Sequence, residues 1–255
     1  TSVCYSSELQ MLLSVSNTGT GNRIMCSTDA INWHPITSPA DNNWTSICWS
    51  PELSLFVAVA NSGTNRIMAS KNGFNWIAFA SPYQNNYISV IWIPKYAMFV
   101  SISSYGNSNK IIYSYDGYYW KTYNLKNTNN NLLNCLCWSN KLNKLLLLTN
   151  NNNNITYLTD YLPYWNLVNP NLLLDVSFTN ILYANSVNLL VAIGNNNTII
   201  ISSDGNTWSL STLPTIASTT FNDICWSPEL NLFVAIATNI IITSSNGIDW
   251  TSRTT

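Results

Sequence analysis

The chain has 255 residues, with 10 Lys and Arg, 11 Asp and Glu and one His, so its formal net charge is −1. Charged residues make up 8% of the chain and hydrophobic residues 46%, whereas an ordinary soluble domain is roughly 25% charged. This balance excludes a basic nucleic-acid surface, and the single histidine, His34, excludes a multi-histidine metal site.

Two series of aromatic residues repeat along the chain with nearly the same period. Tryptophans recur with spacings of 43, 44, 45, 43 and 42 residues, at Trp33, Trp76, Trp120, Trp165, Trp208 and Trp250. A second series has spacings of 44, 43, 46, 45 and 43, at Tyr5, Trp49, Trp92, Trp138, Tyr183 and Trp226. A shared period predicts six repeats, with approximate boundaries 1–43, 44–86, 87–131, 132–176, 177–219 and 220–255.

The second repeat shows the predicted elements of one unit in chain order. Residues 45–49 form a short strand, and Pro51 follows it in a predicted turn. Residues 55–60 are rich in β-branched and aromatic side chains and predict a buried strand. Residues 66–70 predict a third strand, Asn72-Gly73 a hairpin turn, and residues 75–79 a fourth strand.

Four antiparallel strands in about 43 residues are typical of one propeller blade. The sequence therefore predicts an all-β fold, a six-bladed β-propeller with no helices of note, as a single domain over residues 1–255. The first repeat begins on an inner strand and the last ends on an outer one, so no strand is shared between them. We expect such a ring to close by blade packing alone, unless the natural chain carries extra residues.

Four of the six cysteines occupy one repeat position, directly before an aromatic residue: Cys4, Cys48, Cys137 and Cys225. A position reused in this way predicts small buried side chains and not a disulfide framework. Reduced cysteines favour a cytoplasm-like compartment.

A sequence pattern of the form Ser-x-Asp-Gly-x-x-Trp ends most repeats. It is complete at Ser114–Trp120 and Ser202–Trp208, and Asn replaces Asp at Asn72 and Asn246. This pattern resembles the Asp-box of sialidase-type (BNR) propeller repeats. Turn chemistry predicts a structural role, because Asp or Asn accepts hydrogen bonds from its own turn and Trp covers the hairpin. The residues given this role are Asp29, Trp33, Asn72, Trp76, Asp116, Trp120, Trp165, Asp204, Trp208, Asn246 and Trp250.

A second resemblance rests on Trp-Ser-Pro-Glu-Leu-x-Leu-Phe-Val-Ala, at Trp49–Ala58 and Trp226–Ala235. These segments are similar to uncharacterised repeat proteins of large DNA viruses and bacteria. The resemblance implies a repeat fold and names no activity.

The sialidase resemblance implies a site with three arginines, a Tyr–Glu pair and an Asp acid/base. The chain has three arginines, of which Arg23 and Arg66 share one repeat position, and three glutamates that also share one position. Glutamates a blade or more apart cannot form the carboxylate pair of a glycosidase, which spans roughly 5–9 Å. We therefore expect no enzyme activity, no catalytic residues, no metal and no cofactor.

An aromatic residue stands five positions before the inner aromatic of most repeats, and Asn precedes two of these. Aromatic faces beside amides are suited to stacking and hydrogen bonding with sugars, which makes a glycan-binding lectin the alternative function. Packing between blades is the other interpretation of the same residues. The lectin interpretation uses Trp44, Tyr87, Phe178, Phe221, Asn43 and Asn86.

The function predicted from the sequence is a rigid binding scaffold without catalytic activity. Its expected partner is a protein or a glycan, with no nucleic acid and no membrane, because the apolar runs are far shorter than the ~20 residues that span a bilayer. The chain is expected to be a monomer. A sialidase-like hydrolase is the remote alternative.

Overall fold

Strands dominate the computed structural model, which describes residues 1–106, 110–123, 133–149, 155–159, 166–168 and 176–253. Within these ranges the strands form six four-stranded antiparallel sheets, numbered here in chain order. The helical element of the described residues is one short 3₁₀ turn, Pro94–Tyr96. The predicted all-β fold is therefore confirmed.

The first compact unit, Thr1–Asn129, contains sheets 1 to 3. Sheet 1 comprises β1 (Ser2–Ser6), β2 (Met11–Val15), β3 (Ile24–Ser27) and β4 (His34–Ile36). Sheet 2 comprises β5 (Trp44–Ser50), β6 (Leu55–Ala60), β7 (Ile67–Ser70) and β8 (Ile77–Phe79). Sheet 3 comprises β9 (Asn86–Ile93), β10 (Met98–Tyr105), β11 (Ile111–Ser114) and β12 (Lys121–Tyr123).

The second compact unit, Asn130–Thr255, contains sheets 4 to 6. Sheet 4 comprises β13 (Leu133–Ser139), β14 (Lys144–Thr149), β15 (Ile155–Thr159) and β16 (Asn166–Val168). Sheet 5 comprises β17 (Phe178–Ala184), β18 (Leu189–Gly194), β19 (Ile199–Ser202) and β20 (Ser209–Leu210). Sheet 6 comprises β21 (Asp223–Ser227), β22 (Leu232–Ala237), β23 (Ile240–Ser244) and β24 (Thr251–Arg253).

The inner strand is the first strand of each sheet, and in several sheets it begins with a bulge. In sheet 2, Trp44 pairs with Ala60 and Ser46 with Val59, so Thr45 is the extra residue. A bulged residue leaves the ladder and re-aims its side chain. The bulge recurs in sheets 4 and 5, before Cys135 and Asn180.

Each described core lies between two consecutive sheets of one unit. The front face of a sheet is defined here as the face that packs on the preceding sheet, and the back face as the opposite one. In sheet 2 the front face carries Phe56 and Ala58, which pack with Leu13 of sheet 1. Its back face carries Val57 and Val59, which pack with residues of sheet 3. Because β6 is buried on both faces, its sequence is a continuous run of apolar residues, without the alternation of apolar and polar residues seen in half-buried strands.

The same arrangement holds in the second unit. The back face of sheet 4 packs on the front face of sheet 5, with Leu146 and Ile181 in one cluster. The back face of sheet 5 packs on the front face of sheet 6, with Val191 and Phe233 in another. One repeating interface therefore joins consecutive sheets in both units.

Candidate functional site

The Asp-box hairpins are closed by hydrogen bonds inside the turn. Asp116 Oδ1 accepts from the backbone N–H groups of Tyr118 and Tyr119, both at 2.8 Å. The Trp120 indole N–H donates to the carbonyl of Gly117 at 3.0 Å. Asp29, Asn72, Asp204 and Asn246 bond in the same way. Trp165 lies outside the described residues.

These bonds shift the ionisation of the turn carboxylates. Backbone hydrogen bonds from Thr207 and Asn206 lower the pKa of Asp204 to about 2. Backbone bonds to Asn32 and Ile31 also lower the pKa of Asp29. A carboxylate already committed to its own hairpin is suited to a structural role and poorly placed as a general acid.

The glycine of each hairpin also lies against the preceding sheet. A Cβ added at Gly117, where φ is +79°, would stand 2.4 Å from Leu55 Cδ2 on the back face of sheet 2. A Cβ at Gly247 would stand 2.6 Å from Leu189 Cδ2 of sheet 5. The hairpin turn therefore belongs to the interface between sheets.

The lectin interpretation needs four exposed aromatic rings, and the structure buries all four. Their exposed fractions are 0%, 0%, 1% and 0%, at Trp44, Tyr87, Phe178 and Phe221. The Trp44 indole donates to the carbonyl of Ala40, and the Tyr87 hydroxyl donates to the carbonyl of Tyr83. Burial raises the pKa of Tyr87 to about 12. These rings fill the interfaces between sheets because a large apolar surface gains most where the next sheet excludes water.

The two asparagines of the lectin interpretation are engaged by arginines. Arg23 Nη1 donates to Asn43 Oδ1 at 3.1 Å, and Arg66 Nη1 donates to Asn86 Oδ1 at 3.3 Å. In each pair the arginine precedes the third strand of one sheet and the asparagine lies at the entry of the next inner strand. The structure therefore brings together cation–amide pairs at this end of the first unit. The shared repeat position of Arg23 and Arg66 was visible in the sequence, but their partners were not.

The two arginines differ in whether a carboxylate lies near the guanidinium. Arg23 Nε lies 3.7 Å from Asp41 Oδ1. Arg66 is held by backbone, with Nε donating to Gly63 O at 2.9 Å and Nη1 donating to Asn85 O at 2.7 Å. Among the described residues no carboxylate lies within 4.0 Å of the Arg66 guanidinium. Arg66 is therefore a half-buried cation that is fixed by hydrogen bonds to backbone carbonyls.

Side chains on the inner strands join consecutive sheets through what we call inner-strand bridges. A Thr or Asn four residues before the inner aromatic approaches the carbonyl at the entry of the next inner strand. Thr45 Oγ1 lies 2.9 Å from Tyr87 O, and Asn134 Nδ2 lies 2.9 Å from Phe178 O. The other bridges join Thr1 to Trp44 and Thr179 to Phe221. Sequence reasoning missed this role, although the recurrence of Thr and Asn at that position was a signal.

The cysteines are free thiols that differ in exposure. Of the four at the shared repeat position, Cys137 is buried as predicted, Cys4 and Cys48 are half-buried, and Cys225 is exposed; Cys26 is also buried. Cys135 Sγ lies 3.0 Å from Asn180 Oδ1, and burial raises its pKa to about 11. A thiol with a raised pKa carries little thiolate at neutral pH and is a weak nucleophile.

No group of three or more His, Cys, Asp and Glu side chains suited to holding a metal ion occurs within the described ranges. None of the helical structure in those ranges is long and apolar enough to cross a bilayer.

Sequence comparisons give no family for the chain. No family model matches it, and no curated protein matches it. The resemblances to Asp-box repeats and to viral and bacterial repeat proteins therefore stay expectations.

Solved structures show the fold. The chain is similar to a streptogramin B lyase, with a TM-score of 0.81 and 14% identity over 100% of this chain and 82% of that one. It is also similar to YCF48 bound to a D1 peptide, with a TM-score of 0.73 and 14% identity over 98% and 79% of the two chains. A GH74 enzyme of Niastella koreensis has a TM-score of 0.74 and 16% identity over 98% of this chain and 46% of that one. The chain has the β-propeller fold, and these neighbours include enzymes as well as a peptide-bound protein.

Proposed function

We propose that the chain is a rigid, non-catalytic β-propeller scaffold that holds a protein segment carrying a carboxylate. Its six sheets act as six blades. The binding surface is the end of the first unit at which Arg23 and Arg66 meet the entries of the inner strands.

The single observation that carries this proposal is how the Arg66 guanidinium is held. Its guanidinium is fixed by two backbone carbonyls and an amide oxygen, and it lacks a carboxylate partner within 4.0 Å among the described residues. A cation fixed in advance loses little conformational freedom on binding, and a planar guanidinium matches a carboxylate in geometry. In a chain with 8% charged residues, such a group gives a partner a specific electrostatic contact.

The positions of the carboxylates support a non-catalytic role. Glu8, in the turn after β1, accepts a hydrogen bond from the Trp49 indole at 2.7 Å. The Asp-box carboxylates are occupied within their own hairpins. A glycosidase needs two carboxylates free to face one bond.

The class of partner draws on a structural neighbour. YCF48, which is similar to this chain in fold, was solved with a D1 peptide bound. A protein segment is therefore the partner class that we propose, in place of the glycan whose aromatic platform is buried.

The test is binding of an arrayed library of synthetic peptides that vary in acidic residues and in a free or amidated carboxyl terminus. We expect the bound peptides to be enriched in carboxylates. Arg66→Gln should weaken their binding about tenfold, since hydrogen bonds between charged groups contribute about 1.5–3 kcal/mol. Binding should also weaken as salt is raised.

The matched control is Lys71→Gln, which removes one exposed positive charge at the hairpin turn of the same sheet. It should leave binding unchanged. Equal losses in both variants, or bound peptides without carboxylates, would contradict the proposed site. Turnover of a fluorogenic sialoside would instead support the remote hydrolase alternative.

A further inference from the structure

The back face of sheet 6 is more exposed than the equivalent faces of the other sheets. In sheet 2 the back-face residues Val57 and Val59 are 0% exposed, and in sheet 5 Ile193 is 0% exposed. The equivalents of Val57 and Val59 in sheet 6 are Val234, which is half-buried, and Ile236, which is 41% exposed. The strand is therefore as apolar as its counterparts but more exposed on its back face.

The inner strand of sheet 6 presents its bridging side chains to solvent. Asn222 stands at the same repeat position as Asn134, whose amide donates to Phe178 O of the next sheet. Asp223 stands at the position of Ser46, whose Oγ accepts from Val90 N of the next sheet at 3.1 Å. Asp223 Oδ1 already accepts from Asn180 Nδ2 of the preceding sheet at 2.6 Å, so a docked N–H would pair with the second carboxylate oxygen. Asn222, Asp223 and Cys225 are all exposed. These groups have the chemistry that joins one sheet to the next.

The hairpin glycines of sheets 3 and 6 indicate which kind of hairpin turn can pack on a back face. Gly117 and Gly247 each lie on a leucine of the preceding back face, Leu55 and Leu189 respectively, at distances that leave no room for a Cβ. Leu232 is the residue of sheet 6 at that position, and it is half-buried. An occupant of the same geometry needs glycine in its hairpin turn and a large apolar residue at the entry of its inner strand.

We propose that the back face of sheet 6 docks a further four-stranded sheet of this same repeat. The docked sheet offers the carbonyl at its inner-strand entry to the Asn222 amide and an inner-strand N–H to Asp223. Its apolar front face covers Val234 and Ile236, and its hairpin glycine lies on Leu232. The contact continues the interface that joins sheet 4 to sheet 5 and sheet 5 to sheet 6.

The second repeat supplies a probe with these features. A copy of residues 39–79 placed directly after Thr255 keeps the sequence spacing that separates Trp33 from Trp44, and it carries Trp44 and Gly73. We expect the extended chain to melt about 5 °C or more above the original chain, because a docked sheet removes apolar surface from water. Alkylation of Cys225 by iodoacetamide, followed by peptide mapping, should slow about tenfold or more.

Two matched controls separate docking from a general effect of the added residues. An extension in which Ile47→Asp and Phe56→Asp are made in the copy has the same length but a charged front face, and it should give neither change. Ile236→Asp should cost little in the original chain and should remove most of the gain in the extended one, which is the coupling expected of residues in contact. A second extension, a copy of residues 82–123 from the third repeat, guards against misfolding of a single graft.

Three results would overturn the proposal. One is an unchanged melting temperature and unchanged Cys225 alkylation in both extended chains. Another is slow Cys225 alkylation in the original monomeric chain, comparable with that of buried Cys137, since the face would then be covered already. The third is a concentration-dependent assembly of the original chain that protects Cys225, which would make a second copy the occupant.

Discussion

Thr45 Oγ1 lies 2.9 Å from the carbonyl oxygen of Tyr87, forty-two residues later in the chain. Thr45 is the bulged residue of its inner strand, and Tyr87 is the second residue of the inner strand of the next sheet. A free edge of a β-sheet carries unpaired backbone groups, and this contact satisfies one of them without another strand. The bulge therefore directs the Thr45 side chain across the interface between sheets 2 and 3.

Replacing Thr45 by Val should destabilise the chain by about 1–2 kcal/mol, because a buried carbonyl loses a donor while the volume is nearly kept. The measurement is chemical denaturation of both proteins. Thr251→Val, at an exposed site in β24, is the control and should change the free energy of unfolding by less than about 0.5 kcal/mol. Equal effects of the two substitutions would contradict the bridge.

Replacing a hairpin tryptophan by alanine should lower the free energy of unfolding more where the ring is more deeply buried. Trp76 is 8% exposed, and its ring centroid lies 6.3 Å from that of Phe56. Trp76→Ala should cost about 3–5 kcal/mol, whereas Trp33→Ala and Trp120→Ala, at half-buried sites, should each cost less. A thermal melt in which Trp76→Ala is silent would contradict the assigned packing.

Two glycines with positive φ allow the cost of backbone strain to be measured apart from the cost of steric crowding. Gly21 has φ +71° with nothing within 4 Å of an added Cβ, whereas a Cβ at Gly117 would meet Leu55 Cδ2 at 2.4 Å. Gly21→Ala should cost about 1 kcal/mol for its positive φ alone. Gly117→Ala should cost about 1–3 kcal/mol more, because the added methyl group overlaps the buried Leu55 side chain, which must move. Similar melting temperatures for the two variants would show that the hairpin does not press on sheet 2.

Acid should selectively weaken the wild-type hairpin of sheet 5. The pKa of Asp204 is about 2 in the folded chain and about 3.9 for an unperturbed Asp. A carboxyl whose pKa is lower in the folded state stabilises the fold above pH about 4, and that contribution disappears as the pH falls toward about 2. Asp204→Asn keeps the acceptor oxygen, as Asn246 does in its own hairpin, and removes this titration.

The measurement is the free energy of unfolding of wild type and Asp204→Asn between pH 6 and pH 2. The stability of the wild type relative to the variant should fall across the acidic part of that range. Parallel curves throughout would mean that the Asp204 carboxylate gains nothing from its turn.

The sequence predicted the repeats and many strand positions because those depend on local pattern. Residues 55–60 were expected as one buried strand, and Leu55–Ala60 is that strand. The environment of Trp44 was not predictable, since an aromatic residue beside Asn looks the same whether the next surface is water or another sheet. The contacts of Arg66 with Asn85 and Asn86 join sheet 2 to the entry of the inner strand of sheet 3, and periodicity alone does not report which groups meet there.

The inner-strand bridges also bear on the order in which the chain folds. Each sheet is built from one contiguous stretch of sequence, and each bridge reaches only to the following sheet. Because each bridge reaches only the next sheet, folding can propagate step by step from any sheet already formed, as in other repeat proteins. During synthesis, sheet 1 and its contact with sheet 2 can form before the later repeats leave the ribosome. Each folded sheet then provides the surface on which the next sheet packs.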